Sequence, residues 1–297
     1  MPADGLRACP VCGGVPDREI VYPQAAPRRA QGLRFDSIAL CSTCGLGVAL
    51  PRPRQTELDR FYQSGEYWRD VGDNVPQAMH EKVQAELRVQ RCAMLLRAGT
   101  GLRVLDVGAG HGWTADWLAS HLAGRVERFD FVEPDERHAR TILEKRPGFR
   151  ISRVRGLAAA GDHYDLIFLN HVLEHVAEPI GLVTSIAAAL AQDGVAYVEM
   201  PHSDYRFKVD VFPHTLFFTP ESLAALAKSA GVEQIGCEEF GRWRSAGLFT
   251  RLLQHAFVLS ARHGAWVLQR HLDHALWRYR EPAPGIWLRW LIRRAHA

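Results

Sequence analysis

The chain of 297 residues, 47% hydrophobic and 23% charged, is long enough for one large domain or one core with appendages. Its net charge of +3 is unevenly spread: from Gly241 onward ten arginines face only Asp273 and Glu281, a local +8 that leaves −5 on the first 240 residues. Such a basic tail bears on surfaces and partners rather than on fold, and no apolar run approaches the roughly 18–20 residues that cross a bilayer.

The opening stretch MPADGLRACPVC holds no apolar segment of the kind a secretory signal needs, so the expected compartment is the cytoplasm. There the pairs Cys9/Cys12 and Cys41/Cys44 read as metal ligands rather than disulfides, while Cys92 and Cys237 stand alone. Each CxxC is followed by a glycine, Gly13 or Gly45, which lets the chain turn and aim backbone N–H groups at the thiolates. Two such knuckles about 30 residues apart predict a tetrahedral four-cysteine zinc ribbon over residues 1–53. Four thiolates leave no position for water, so this zinc is expected to staple the fold and take no part in chemistry. The competing reading, a pair of redox motifs, needs a βαβ context that this stretch lacks.

Pro51-Arg52-Pro53 breaks the chain, and residues 54–98 form a linker and a leading helix from about Pro76 to Arg97. There Met79, Val83, Leu87, Cys92, Leu95 and Leu96 approximate one apolar face. Over residues 99–240 strands and helices alternate: LRVLDVG, a helix from Trp113 to Leu122, RVERFDFVE, the helix ERHARTILEKR, a weak strand FRISRVRG, and YDLIFLNHV. The helix PIGLVTSIAAALAQ, closed by Asp193-Gly194, then precedes VAYVEMP, the helix PESLAALAKSAG and VEQIGCEEF. This rhythm predicts an α/β fold, a doubly wound and mostly parallel sheet with helices on both faces. Residues 241–297 are expected to form a basic helical tail. In it Ala265, Leu268, Leu272, Ala275, Leu276 and Tyr279 make one stripe before the final IWLRWLIRR.

The turn VLDVGAGHGW has glycines at 108, 110 and 112, with Trp113 where a dinucleotide fingerprint places its third glycine; this weighs against NAD. Asp106 adds a carboxylate at the strand's end, which repels a pyrophosphate and attracts an ammonium group. The turn therefore suits a ligand with an amino-acid end. Glu133 closes the next strand, placed to accept hydrogen bonds from both ribose hydroxyls. YDLIFLNHV leads into Asn170-His171-Val172-Leu173-Glu174-His175, at the carboxyl end of the sheet where ligands sit.

Taken in order, LDVGAGHGW, Glu133 and NHVLEHV resemble the class I S-adenosylmethionine-dependent methyltransferases over about residues 100–240. The resemblance implies a Rossmann-like core that binds S-adenosylmethionine, the backbone around Gly108 and Gly110 approaching the methionine moiety and Asn170 adding a backbone contact. Many members carry an acid after the third strand for the adenine amino group. Here the residues are Gly156-Leu157-Ala158, so adenine is expected to rely on backbone and apolar contacts at Leu157. A narrower resemblance is to bacterial zinc-ribbon methyltransferases, including those that methylate nucleotide-bound deoxysugars at carbon. Their ribbon is likewise followed by P-x-P, as at Pro51 to Pro53, and by an FY…Y segment, as at Phe61-Tyr62…Tyr67. They place a base histidine after strand five in a motif like EHLSYF; Pro213-His214-Thr215-Leu216-Phe217-Phe218 keeps the histidine and replaces the glutamate before it. Their second histidine, after strand four, aligns with His175.

Methyl transfer from a sulfonium needs nucleophile and methyl held in line, and a base if the nucleophile carries a proton. Histidine suits that task because its unperturbed pKa of about 6.5 lies near working pH. The expected base is His214, with His175, His171 and Tyr205 as pocket-lining alternatives. Against this, His214 is equally a loop histidine bonded to backbone, and His175 a cap on the helix that follows. Glu174 reads as a partner for a backbone N–H at that helix start. Tyr62 and Tyr67 either close over the cofactor or pack the ribbon onto the core. The tail stripe is expected to pack on the core or on a second subunit in a homodimer. Its alternative is contact of Trp287, Trp290 and the arginines with a membrane surface or lipid-linked substrate; nucleic acid ranks last, because no base-reading motif accompanies the charge. The expected function is methylation of a small-molecule acceptor such as a nucleotide sugar, a glycan precursor or a natural-product intermediate. The competing readings are a non-enzymatic adaptor and an RNA or protein methyltransferase.

Overall fold

A computed structural model of the protein describes residues 6–24, 33–65, 67, 75–96, 100–122, 124–145, 147–157, 163–240 and 285–295. The N-terminal part is an antiparallel ribbon of β1 (Arg18–Val21), β2 (Ser37–Leu40) and β3 (Gly47–Leu50). It leads through α1 (Gln55–Gln63) to the long helix α2 (Val75–Leu95).

The core then alternates as its hydrophobic pattern predicts. β4 (Leu102–Val107), α3 (Trp113–His121), β5 (Val126–Val132), α4 (Glu136–Leu143) and β6 (Arg150–Arg153) form one half. β7 (Tyr164–Asn170), α5 (Pro179–Ala189), β8 (Leu190–Pro201), the short β9 (Leu216–Phe217), α6 (Pro220–Ala230), β10 (Val232–Phe240) and β11 (Trp287–Arg294) complete it. The large sheet has the order β10-β11-β8-β7-β4-β5-β6. β4 to β8 are parallel, and only β11 runs against its neighbours. Leu166, Ile167, Phe168 and Leu169 of β7 are all buried, the continuous apolar run expected of a strand covered on both faces. From β4 the chain builds outward to β5 on one side and to β7 on the other. That reversal opens a crevice at the carboxyl ends of β4 and β7, the usual place for a ligand.

Four expectations need correction. IWLRWLIRR is no helical tail: Trp287–Arg294 is a strand inside the large sheet, paired with β8 and β10. Trp290 and Arg289 are 0% and 2% exposed, so neither reaches a membrane surface; Trp290 donates its indole N–H to Gln234 Oε1 at 2.8 Å. The helix after β7 stops at Ala189 rather than at Asp193-Gly194. Pairing jumps from Tyr164↔Leu190 to Leu166↔Val195, so Asp193 and Gly194 lie in a bulge of β8. A Cβ on Gly194 would stand 2.5 Å from the Tyr164 carbonyl oxygen, which explains the glycine.

On α2, Leu87 and Cys92 are buried as expected, but Leu95 is 45% exposed and the buried face includes Gln84, Glu86 and Arg88. Those polar groups hide because partners await them, Glu199 for Arg88 and His121 for Glu86. Finally, the ribbon is not a separate segment ending at residue 53. β9 joins it as a fourth strand in the order β1-β2-β3-β9, and its cysteines share a core with Leu216, Phe218, Leu223 and Leu226. The helix expected over residues 265–280 lies outside the described residues.

Candidate active site and metal centre

β4 delivers Asp106 to the crevice and then turns on Gly108, Gly110 and Gly112, whose φ angles are 74°, 52° and 69°. These left-handed conformations favour glycine, and space requires it too. A Cβ on Gly108 would lie 2.5 Å from Val172 Cγ2, and one on Gly112 would lie 2.6 Å from Ile142 Cγ1. Glu133, at the end of β5, braces the turn: its Oε2 accepts the Gly110 N–H at 2.8 Å and its Oε1 accepts the Asp135 N–H at 2.9 Å. The expected ribose acid thus also shapes the loop that a nucleoside would approach. Burial pushes the Asp106 carboxyl up to about 6, against the pull of Thr114 and Arg88. Glu133 is likewise raised by burial, to about 7. Asn170 closes β7 across the crevice, and its side-chain Oδ1 is buried with no hydrogen-bond partner among the described residues. An anion, a close-approach glycine turn and an unpaired acceptor therefore converge on one crevice, which fits a zwitterionic nucleoside. Leu157 is half-buried at the rim of the core, and Gly156 beside it borders open space.

The next loop turns sharply. His171 has a φ of 54° and is tied down by its N–H donating to the Glu199 carbonyl at 2.8 Å. Leu173–His175 then form one 3-10 turn, well before α5 begins at Pro179. Glu174 consequently does not cap that helix. Its carboxylate faces imidazoles instead: Oε1 is 3.2 Å from His171 Nδ1 and 3.9 Å from His175 Nε2. Burial opposes ionisation of Glu174, but the histidines overcome it and hold its carboxyl below the usual range. Burial drives His175 down to about 3, so this ring is neutral.

His214 comes from the β8–β9 connection and stacks edge-on to His175, with ring centroids 4.9 Å apart. Ligand atoms of Glu174, His175 and His214 all lie within 4.8 Å of one another. Tyr62 and Tyr67 pack edge-on to His175 at 5.6 and 6.1 Å, so these tyrosines wall the histidine cluster. Tyr205 stands apart, edge-on to Phe217 at 5.4 Å with Arg206 over its ring.

Several residues here were not assigned to this site from sequence, and Trp287, read there as a membrane or lipid-substrate contact, is one of them. Trp287 of β11 meets the His171 ring at 5.0 Å, and Lys208 lies over the Trp287 ring. Asp204 approaches His214 Nδ1 at 3.1 Å. Arg88 reaches from α2 to place Nε and Nη2 at 3.0 and 2.7 Å from Glu199 Oε1, behind Asp106. Only the left-handed turn at His171 had a local signal, the polar NH pair after an apolar strand. Trp287 and Arg88 arrive from distant segments, and Asp204 from the irregular start of the connection that carries His214.

At the other end of the ribbon the four cysteines converge, with Cys9 Sγ 3.7 Å from Cys44 Sγ and Cys12 Sγ 3.5 Å from Cys41 Sγ. A tetrahedron with zinc–sulfur bonds of about 2.3 Å has edges of about 3.8 Å, so these separations fit one metal ion. Gly13 and Gly45 are left-handed, with φ of 74° and 78°, and the Gly14 N–H points to Cys12 Sγ at 3.4 Å. The knuckles are seated on α6 through Ser229 Oγ donating to the Val11 carbonyl at 2.8 Å.

Comparison with known proteins agrees with this fold. A family model described as a methyltransferase domain matches residues 79–279. A ubiquinone biosynthesis O-methyltransferase of Dinoroseobacter shibae is 28% identical over 153 residues, 46% of this chain and 61% of that protein. Its counterpart in Xanthomonas campestris pv. campestris is 30% identical over 149 residues, 48% of this chain and 60% of that protein. The chain thus spans about three-fifths of the length of these curated relatives. Among solved structures, phosphoethanolamine N-methyltransferase 2 of Haemonchus contortus, in complex with phosphomonomethylethanolamine and S-adenosylhomocysteine, superposes with a TM-score of 0.51 at 17% identity. That match covers 72% of this chain and 53% of the other. A Leishmania major S-adenosylmethionine-dependent methyltransferase gives 0.50 at 16% identity, over 80% and 82% of the two chains. These structural likenesses concern the fold; the family match over most of the chain goes further, and the chain belongs to the class I S-adenosylmethionine-dependent methyltransferases.

Proposed function

We propose that this protein methylates a small-molecule acceptor bound against the cluster of His171, Glu174, His175 and His214, with His214 as general base. The observation that carries this reading is the placement of that cluster at the carboxyl ends of the strands, beside the glycine turn. S-adenosylmethionine, when bound, supplies a methyl group already activated on a sulfonium. Asp106 faces its ammonium end, Glu133 its ribose, and Asn170 an unpaired polar edge. The chain's remaining task is to orient the acceptor and take its proton. His175 is buried and neutral and lies against Tyr62 and Tyr67, so it shapes the pocket wall, whereas His214 has a carboxylate of its own within 3.1 Å. The name of the matched relatives, ubiquinone biosynthesis O-methyltransferase, supports a small acceptor. A nucleotide sugar, glycan precursor or natural-product intermediate fits the same description. The four cysteines hold a structural zinc in this reading.

Labelled-methyl transfer into a host extract tests the class of acceptor. Label in the low-mass fraction is expected; label confined to protein or RNA would overturn the small-molecule reading. His214→Ala should lower transfer by about 10²-fold or more while S-adenosylmethionine affinity, measured by calorimetry, stays within about twofold. Gly108→Ala should do the reverse. It forces a Cβ toward Val172 and is expected to weaken cofactor binding by about tenfold or more, a cost of about 1.4 kcal/mol or above.

A further inference from the structure

Asp204 lies outside every expected role, yet it is only 1% exposed. Burial pushes its carboxyl up, but His214 and Lys208 outweigh that and hold it at about 2. Its Oδ2 is 3.1 Å from His214 Nδ1 and 2.8 Å from Lys208 Nζ, ion-pair distances; the angles leave both Asp204 oxygens and His214 Nδ1 buried without a completed hydrogen bond among the described residues, so a small turn of the ring would bring Nδ1–H into line with Oδ2. The two neighbours are not equivalent. Lys208 is 35% exposed and can be solvated, whereas His214 is 14% exposed and has little water within reach.

Both halves of the contact are clamped. Ser203, just before Asp204, has a φ of 43°, a sparsely populated conformation for a non-glycine residue. It is held there by its N–H and its Oγ, both 3.1 Å from the Phe218 carbonyl. His214 is fixed from the ribbon side, where Tyr22 Oη donates to its carbonyl at 2.9 Å. Its N–H donates to the Val211 carbonyl at 2.9 Å. The cluster's second carboxylate turns one oxygen, Glu174 Oε1, to His171 and His175, and its buried Oε2 has no hydrogen-bond partner among the described residues.

We propose that Asp204 is the positioning residue of His214: it accepts the Nδ1 proton, fixes the neutral ring as the Nδ1–H tautomer, and leaves the lone pair on Nε2. The partner of one ring nitrogen decides which nitrogen is free to act. When the acceptor's proton passes to Nε2, its bonding pair stays on the acceptor. The ring becomes an imidazolium whose Nδ1–H still faces an ionised carboxylate, and Asp204 itself stays deprotonated. Residue 213 is a proline, so the carboxylate for this histidine comes from the start of the same β8–β9 connection, ten residues earlier in the chain.

The inference rests on His214 as the base, but its test reads the ring directly and needs no acceptor. Full-length protein with ¹⁵N-labelled histidine is examined by long-range ¹⁵N–¹H spectroscopy at pH about 8.5, about two units above the ordinary imidazole value. The His214 signals are those lost in His214→Gln. The Nδ1–H tautomer is expected in the unaltered protein and in Lys208→Met. Asp204→Ala should shift the ring to Nε2–H or to an exchanging mixture. An Nε2–H ring in the unaltered protein overturns the proposal, as does an unchanged Nδ1–H ring in Asp204→Ala. Should Asp204→Ala fail to fold, the spectra of the unaltered protein and of Lys208→Met decide. Full turnover in His214→Ala would instead sink the base assignment whatever the tautomer, so the two failures are told apart.

Discussion

Asp106→Asn is expected to cost S-adenosylmethionine binding on the order of 10²-fold or more while making the empty protein more stable at neutral pH. Both effects come from one buried carboxyl, 2% exposed and raised by burial to about 6. Below about pH 4 the group is protonated folded or unfolded, so it contributes no difference. Between about pH 4 and about 6 the unfolded chain releases the proton and the folded chain retains it, and stability falls. Above that the loss is constant, up to about 3 kcal/mol for a shift of about two units. Asparagine has no such titration, so urea unfolding at pH 7 without cofactor should show the variant ahead by about that amount. The binding curve carries the complementary signature. Affinity of the unaltered protein should decline as pH drops through about 6, where the Asp106 carboxyl takes a proton, while the weak residual binding of Asp106→Asn should keep only the pH dependence that Glu133 sets. Glu133 is also raised, chiefly by burial and in part by the Asp106 charge itself, so it is relieved in Asp106→Asn and adds to the variant's gain. Equal affinity in the two proteins at pH 7 would remove Asp106 from the cofactor site.

The parts of this molecule legible in its sequence are those governed by local rules. Alternating apolar runs and turn glycines located β4 through β7 and α6 to within a few residues, but not β9 or the early start of β8 at Leu190. CxxC spacing brought the four cysteines together on paper as it does in space. What stayed hidden depends on partners far along the chain. Arg289 reads as a surface residue of a basic tail until β8 supplies Glu199 and Tyr197 beside it, and β10 supplies Glu238. Glu199 in turn is held ionised at about 2, against burial, by Arg88 and Arg289. Glu174 looked like a helix cap because the chain was expected to enter α5 directly. The 3-10 turn and the left-handed His171 rotate it into the histidine cluster instead. Asp204 had no signal at all: an aspartate in an irregular loop is ordinary, and only the folded loop puts it against His214.

Removing the zinc proposed for the four cysteines, by chelation or by Cys41→Ser, is expected to lower methyl transfer by about 10²-fold while cofactor affinity survives within a few fold. A ribbon of four thiol ligands does no chemistry, so the argument is one of bracing. Zinc binding and folding are linked in such knuckles, and loss of a ligand releases the strands they organise. Those strands hold the His214 loop directly. Tyr22, just past β1, donates its hydroxyl to the carbonyls of Val211 and His214 at 3.1 and 2.9 Å. Ala49 of β3 donates its N–H to the Thr215 carbonyl at 2.9 Å, and β3 continues into β9 at Leu216 and Phe217. Thr215 passes the constraint on, its N–H and Oγ1 both donating to the Glu174 carbonyl, at 2.8 and 3.0 Å. The contacts that shape the cofactor turn, from Val132, Glu133 and Val172, come from the core instead. Loss of zinc should therefore fall on His214 and Glu174 and largely spare Asp106 and Gly108. Turnover should drop by about 10²-fold, matching removal of the base itself. Zinc returned to the chelated protein should restore it, whereas Cys41→Ser should stay at the lowered rate. Metal-free protein, verified by elemental analysis, that still turned over at full rate would show the ribbon to be independent of the active site.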